Sequence, residues 1–230
     1  MDIRLNYFES GIGEPFILLH GNGENYSYFK NQIAFFSKKY RVIAIDTRGH
    51  GKSPRGKAPF TIRQFAEDLH DFMNEHDIEA ADILGFSDGG NIALAFALKY
   101  PERVKHLILN GANLYPLGVK RHVQIPIEIG YRMASLFAAK SEDARKNAEM
   151  LGLMVNEPMI TPRQLNGLHV RTLVIAGTKD MIRENHTRLI YDSLPDAELA
   201  FIAGDHFIAN KNSESFNFAV AAFLSKENAG

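Results

Sequence analysis

The chain of 230 residues contains no cysteine and no long apolar run. Without cysteine there are no disulfide bonds, no thiolate nucleophile and no cysteine-ligated zinc. No apolar stretch approaches the ~20 residues of a membrane-spanning helix. The first residues, Met1-Asp2-Ile3-Arg4, lack the basic and then apolar profile of a signal peptide. We therefore expect a cytoplasmic protein that has no membrane partner.

The charge of the chain is almost balanced. It has 26 basic and 27 acidic residues, a formal net charge of −1 and a pI near 6.8. A nucleic-acid surface needs clustered positive charge, and the pair Lys120-Arg121 is too short to supply it. We expect no nucleic-acid partner. With 45% hydrophobic and 23% charged residues, the composition predicts a single globular domain or a domain with an insertion.

Short apolar runs alternate with amphipathic ones through much of the chain. Strands are predicted at 3–7, 16–19, 41–45, 82–84, 104–109, 172–176 and 199–202. Helices are predicted at 28–37, 61–76, 90–100, 185–194 and 213–224. This alternation is typical of an α/β fold with a mostly parallel central sheet flanked by helices.

The alternation stops over residues 113–168, which show helical patterns and no obvious strand. Ser141 and Thr161-Pro162 are predicted to begin two of these helices. An ordinary pair of crossover helices is the alternative, but ~55 residues exceed what one crossover needs. We therefore predict a core of residues 1–112 and 169–230 with a short helical cap insertion at 113–168.

One pentapeptide, Gly85-Phe86-Ser87-Asp88-Gly89, fits the G-x-S-x-G pattern of a nucleophile elbow. It lies between a predicted strand and a predicted helix, where a sharp turn would expose the serine hydroxyl. The flanking glycines remove Cβ clashes between the strand and the helix. The alternative is that Gly89 and Gly90 serve only close helix packing. The context favours Ser87 as a nucleophile.

A serine nucleophile needs a base, and the base needs a partner that fixes its tautomer. Asp180 and His206 each follow a predicted strand, so both should reach the carboxyl edge of the sheet. The order Ser87, Asp180, His206 is that of α/β-hydrolases. Asp205 is an alternative acid, although a sequence neighbour seldom faces the ring beside it. Six other histidines are interpreted as surface residues: His70, His76, His106, His122, His169 and His186.

The segment His20-Gly21-Asn22-Gly23 follows a predicted strand and supplies a glycine-rich turn. Such a turn can present backbone N–H groups to an oxyanion. We predict an oxyanion hole formed by the amides of Asn22 and Asp88. His20 is interpreted as a structural residue that braces this loop, and a simple turn is the alternative for the glycines.

Taken together, these segments resemble the α/β-hydrolase fold family over nearly the whole chain. The stretch Asp46-Thr47-Arg48-Gly49-His50-Gly51-Lys52-Ser53 is similar to a loop of that family that braces the sheet, which implies structural roles for Asp46 and His50. Within the family the chain resembles carboxylesterases and the valacyclovir-hydrolase-like group. That group also places aspartate after the serine, which implies that Asp88 binds the ammonium of an amino-acid ester. The alternative is that Asp88 caps its own helix.

An apolar stripe in the predicted cap contains Ile125, Ile129, Met133 and Phe137. We expect these side chains to contact an apolar acyl or alcohol group, with packing against the core as the alternative.

Three functions follow from these residues. The first is hydrolysis of a small-molecule carboxylic ester, or a related acyl bond, through an acyl-enzyme, with no metal and no organic cofactor. The second uses the same triad as a carbon–carbon bond hydrolase or a cofactor-free perhydrolase. The third is a non-catalytic ligand receptor on the same fold.

Overall fold

Seven strands form one sheet in the computed structural model, which describes residues 2–226. The strands are β1 Tyr7–Ser10, β2 Glu14–Leu19, β3 Tyr40–Ile45, β4 Ala81–Phe86, β5 Val104–Asn110, β6 Thr172–Gly177 and β7 Ala197–Ile202. Their spatial order is β1-β3-β2-β4-β5-β6-β7. Only β1 is antiparallel to its neighbour, and the other pairs are parallel. The predicted α/β fold with a mostly parallel sheet is confirmed.

Both faces of the sheet are covered by helices, because alternate strand side chains enter two separate cores. On β2, Ile17 and Leu19 belong to one cluster, whereas Phe16 and Leu18 belong to the other. The helices are α1 Lys30–Phe36, α2 Ile62–Glu75, α3 Asp88–Lys99, α4 Arg121–Phe137, α5 Glu142–Asn156, α6 Pro162–Leu165, α7 Glu184–Ser193, α8 Ile208–Lys211 and α9 Ser213–Leu224. No helix within residues 2–226 combines the length and apolar character needed to cross a bilayer.

Most predicted boundaries agree with the structure to within two residues, but the first strand does not. Strand β1 begins at Tyr7 and runs to Ser10, so the strand predicted at 3–7 is wrong. Its apolar residue Leu5 is nevertheless buried in the core, which accounts for the misleading pattern. The short helix α8, directly after the candidate histidine, was not predicted. At only four residues it has too few positions to show a helical period.

Segment 113–168 contains three α-helices, α4 to α6, and no strand. The predicted start at Ser141 is confirmed, because its side chain accepts a hydrogen bond from the Ala144 amide. Thr161 likewise forms a capping box at the start of α6. Helix α5 lies over the loop after β2, because Asn22 Nδ2 donates to the Met150 carbonyl at 2.6 Å. Helix α5 of this segment therefore lies at the carboxyl end of β2, and the role of the segment as a cap stays a prediction.

The apolar stripe of α4 does not enter the core. Ile125, Ile129, Met133 and Phe137 are between 45% and 58% exposed. Packing against the core, the alternative interpretation of this stripe, is therefore wrong. The buried face of α4 instead carries Gln124, whose amide donates to the Met154 carbonyl of α5.

Candidate active site

The backbone at Ser87 has the strained conformation of a nucleophile elbow. Its φ of 53° and ψ of −120° are unusual for a residue with a side chain. A Cβ added at Gly85 would lie 2.2 Å from the carbonyl oxygen of Gly89, and one added at Gly89 would lie 2.0 Å from that of Leu19. Only glycine fits at either position. The close approach of β4, α3 and the end of β2 therefore explains the glycine spacing around the serine.

Asp180 and His206 meet at the same edge of the sheet. Asp180 follows β6 and His206 follows β7, and Asp180 Oδ1 lies 2.7 Å from His206 Nδ1. Both side chains are buried, and the Ile182 amide also donates to Asp180 Oδ1. Asp205, the alternative acid, instead accepts from the Phe207 amide and pairs with Lys211. The structure thus pairs His206 with Asp180.

The other ring nitrogen of His206 is available for a new hydrogen bond. His206 Nε2 is buried and has no partner among residues 2–226. No hydrogen bond joins it to Ser87 in that part of the chain. Such bonds are often long without substrate and shorten in the reacting complex. A proton acceptor held by Asp180 therefore lies unused beside the elbow.

Residues Asn110 and Gly111 connect the elbow to this histidine, a link that the sequence did not reveal. The Ser87 amide donates to the Asn110 carbonyl at 2.8 Å. A Cβ on Gly111 would lie 2.7 Å from His206 Cε1 and 3.3 Å from Asp180 Oδ2. Gly111 also has a φ of +63°, which favours glycine. The lack of a side chain at Gly111 leaves the space in which Asp180 and His206 meet.

The glycine-rich loop after β2 lies directly against the serine. A Cβ on Gly21 would lie 3.2 Å from Ser87 Cβ and 3.0 Å from the Phe86 ring. Asp88 begins helix α3, so its amide is one of the first N–H groups that have no intrahelical acceptor. The loop that carries Asn22 therefore lies against Ser87, and the Asp88 amide follows Ser87 directly in the chain; the oxyanion hole formed by these two amides stays a prediction.

The two histidines near this loop have structural contacts. His20 Nδ1 lies 2.7 Å from the Gly21 carbonyl, and its Nε2 accepts from the Thr47 amide. Burial lowers the pKa of His20 to about 4, so the ring is neutral. His50 is also buried and contacts Asn22 Oδ1 through Nε2. Asp46 accepts from the amides of Tyr26 and Lys52, in agreement with a bracing role.

A family model described as alpha/beta hydrolase fold matches residues 14–154, more than half of the chain. The chain belongs to this family. A solved structure of an enol-lactonase from Burkholderia xenovorans LB400 superposes with a TM-score of 0.82 and covers 97% of each chain at 22% identity. That likeness shows the shared fold.

Two relatives of known name illustrate the range of this family around the chain. 3-Oxoadipate enol-lactonase 2 of Acinetobacter baylyi is 27% identical over 99% of this chain and 95% of its own length. 2-Hydroxymuconate semialdehyde hydrolase of Pseudomonas sp. strain CF600 is 37% identical over 48% of this chain and 40% of its own length. The chain spans only about a third to two fifths of the length of the first curated relatives that it matches.

In this member of the alpha/beta hydrolase family, the carboxylate of Asp88 is buried beside Ser87. Its Oδ1 accepts from Asn91 Nδ2 at 3.1 Å, while its Oδ2 has no hydrogen-bond partner among residues 2–226. Burial raises the pKa of Asp88 to about 6. The side-chain amides of Asn91 and Asn22 offset part of this rise, and the nearby Glu157 carboxylate adds to it. A buried carboxylate with one free oxygen therefore adjoins Ser87.

One surface interpretation made from the sequence is wrong. His186 is buried, and its Nε2 accepts from the Leu114 amide at 2.9 Å. Burial lowers its pKa to about 4. This neutral ring packs against Gly118 and Tyr115 at the start of segment 113–168.

The buried carboxylate of Asp88 should reduce stability at neutral pH. Its pKa of about 6 in the folded chain exceeds the ordinary value of 3.8, so the folded state binds its proton more tightly than the unfolded state does. The contribution of Asp88 to the free energy of unfolding is therefore lost as the pH rises from about 4 to about 6. The substitution Asp88→Asn should raise stability by about 2.5 kcal/mol more at pH 8 than at pH 4.

Urea unfolding at the two pH values measures this difference, and any pH-independent effect of the amide cancels. Asp205→Asn is the matched control with the opposite sign. Its pKa is lowered by Lys211 and the Phe207 amide, so its removal should cost stability at pH 8. An equal effect of Asp88→Asn at both pH values would contradict the prediction.

Proposed function

We propose that the chain is a serine hydrolase that cleaves a carboxylic ester of a small molecule through an acyl-enzyme. One observation carries the proposal. The buried pair Asp180 and His206, 2.7 Å apart, leaves His206 Nε2 unpartnered beside a serine held in an elbow. A fixed base close to a serine hydroxyl is the arrangement that activates a serine.

In the proposed reaction, Ser87 Oγ attacks the ester carbonyl while His206 Nε2 takes its proton. Asp180 holds the imidazole in the required tautomer and stabilises its charged form. The amides of Asn22 and Asp88 bind the oxyanion of the tetrahedral intermediate. His206 then gives its proton to the leaving alcohol, and a water molecule releases the acyl group by the same steps.

An ester is the bond that fits one of the relatives matched over nearly its full length. That relative is an enol-lactonase, and a lactone is a cyclic ester. The same two-step acyl transfer cleaves cyclic and open esters, because the leaving oxygen takes its proton from the same histidine.

The carboxylate of Asp88 supports a preference for substrates with a positive charge. With Oδ2 unpartnered and Glu157 nearby, the site favours an ammonium and repels an anionic acyl group. The alternative role of Asp88, a favourable negative charge at the N-terminus of its helix, also agrees with its place as the first residue of α3, and its Oδ1 accepts from the Asn91 side chain. An α-amino-acid ester would place its ammonium close to its own carbonyl, within reach of this carboxylate.

We expect the native chain to hydrolyse an α-amino-acid ester about 10 to 100 times more efficiently than its des-amino analogue, the effect of one hydrogen bond to a charged group. The ratio of the two kcat/KM values measures this preference. In Asp88→Asn the ratio should be close to one. In the native chain it should also decrease below pH 6, where Asp88 takes up a proton.

This experiment tests ester hydrolysis and the substrate role of Asp88 separately. If Asp88→Asn hydrolyses both esters with the native ratio, Asp88 does not bind the substrate ammonium, and the hydrolase function still stands. No turnover of either ester, by a folded chain, would contradict ester hydrolysis itself.

A second candidate function, cleavage of a carbon–carbon bond in a diketone, is favoured by the 37% identity to a semialdehyde hydrolase over 114 residues. The same serine, histidine and acid would serve it. Turnover of a diketone in place of the esters would support this function over the first.

A further inference from the structure

Helix α4 presents an apolar stripe to solvent. Ile125, Ile129, Met133, Leu136 and Phe137 follow one another at steps of four, four, three and one residues, which places them on one side of the helix. Each is between 45% and 71% exposed. Leu117, just before the helix, is 72% exposed and extends the surface. We call these six side chains the α4 stripe.

The other side of α4 is already occupied by α5. Gln124 is buried and donates to the Met154 carbonyl, and a Cβ on Gly130 would lie 3.3 Å from Leu151. On a helical projection Gln124 and Tyr131 lie about opposite Ile129, at 100° per residue. The α4 stripe therefore points away from α5, and its exposure shows that the core does not cover it.

Positive charge borders one edge of the stripe and its end, together with one carboxylate, Glu128. Arg121 and Arg132 lie along one edge, Lys140 follows its end, and all three are exposed. None of the three forms an ion pair with any residue in the range 2–226. Residues 120–146 contain six basic and three acidic residues, whereas the whole chain has a net charge of −1. The segment that carries the stripe is thus richer in positive charge than the chain as a whole.

We propose that the α4 stripe binds an anionic lipid surface, with α4 lying in the plane of the interface. An exposed apolar stripe bordered by arginine and lysine suits the boundary between acyl chains and negative headgroups. A second copy of the chain is disfavoured, because a symmetric contact would bring the same cations together. This proposal departs from the expectation of no membrane partner, which rested on the lack of a long apolar run. No helix within residues 2–226 can cross a bilayer, but an interfacial helix does not need to cross it.

Vesicle co-sedimentation tests the proposal with the full chain. The native protein should bind vesicles of equal parts phosphatidylcholine and phosphatidylglycerol, and bind phosphatidylcholine alone much more weakly. The double variant Arg121→Gln/Arg132→Gln should lower the partition coefficient about thirtyfold, since each basic residue near the surface is worth about fivefold. Leu136→Glu should lower it at least about tenfold. Salt at about 0.5 M should weaken the native binding as well.

Phe218→Glu is the matched control, because Phe218 is 59% exposed on α9 and outside the stripe. It should bind as the native chain does, and circular dichroism should show all variants folded. Equal binding to both vesicle types, or none to either, would overturn the proposal. A native dimer that Leu136→Glu converts to a monomer, without vesicle binding, would overturn it too and assign the stripe to a second copy. Ser87→Ala should bind vesicles normally, which separates this test from that of the hydrolase function.

Discussion

Replacing Ser87 by alanine is expected to lower kcat for ester hydrolysis by about 10⁴-fold or more. The hydroxyl would be the only group that forms the acyl-enzyme, and the oxyanion donors alone supply a small part of the acceleration. The elbow should survive, because alanine keeps the Cβ that this backbone already accommodates. Initial rates on p-nitrophenyl esters of short and medium acids measure the effect.

Ser135→Ala is the control for this substitution, since Ser135 is exposed on α4 and distant in sequence from the elbow. It should retain the native kcat. If Ser87→Ala kept a tenth of the native rate, the acyl-enzyme mechanism would be wrong. If the native chain had no turnover and both forms bound the same ligand, the receptor function would replace it.

The elbow and the acid–histidine pair could be predicted from sequence because each depends on local order. The glycines around Ser87 prevent clashes within one strand–turn–helix unit, so their spacing is visible in five residues. Asp180 and His206 each follow a strand. Parallel strands bring their carboxyl ends to one edge, so the strand pattern alone predicts that such residues meet.

Other features of the site depend on contacts between distant segments, which leave no local pattern. Asn91 Nδ2 donates hydrogen bonds to Asp88 and to Asn113, which is 22 residues away. The Leu114 amide donates to His186, which is 72 residues away. The single residues involved have no periodicity to interpret. For the same reason sequence left two roles open for Asp88. Its burial and its free oxygen appear only once the loop after β2 and Glu157 are placed around it.

The exposure of the α4 stripe shows a third limit. A helical spacing of apolar residues predicts that one face avoids water, but not what covers it. Helix α4 has a packed face against α5 and an exposed apolar face on its other side. Periodicity does not distinguish an external surface of this kind from a core contact.

Gly111 shows most clearly how a functional position can escape sequence analysis. Its role depends on β5, β6 and β7 together, since a Cβ there would meet the His206 ring at 2.7 Å and Asp180 Oδ2 at 3.3 Å. We expect Gly111→Ala to lower kcat by about 10²-fold or more, because a shift of about 1 Å in a reacting group costs this much. KM should change little, because the oxyanion loop and Asp88 are not displaced.

This substitution also strains the backbone, so stability and catalysis must be measured separately. Alanine at a φ of +63° should cost about 1 to 2 kcal/mol in the free energy of unfolding, which urea titration measures. A purely structural role would produce that loss with native kcat in the remaining folded protein. If His206 is displaced, kcat should fall in fully folded enzyme. The fall should be by the same factor for every ester, because one general base acts on them all. Native kcat in folded Gly111→Ala would show that the ring can move aside without leaving Asp180, and the proposed role of Gly111 would be wrong.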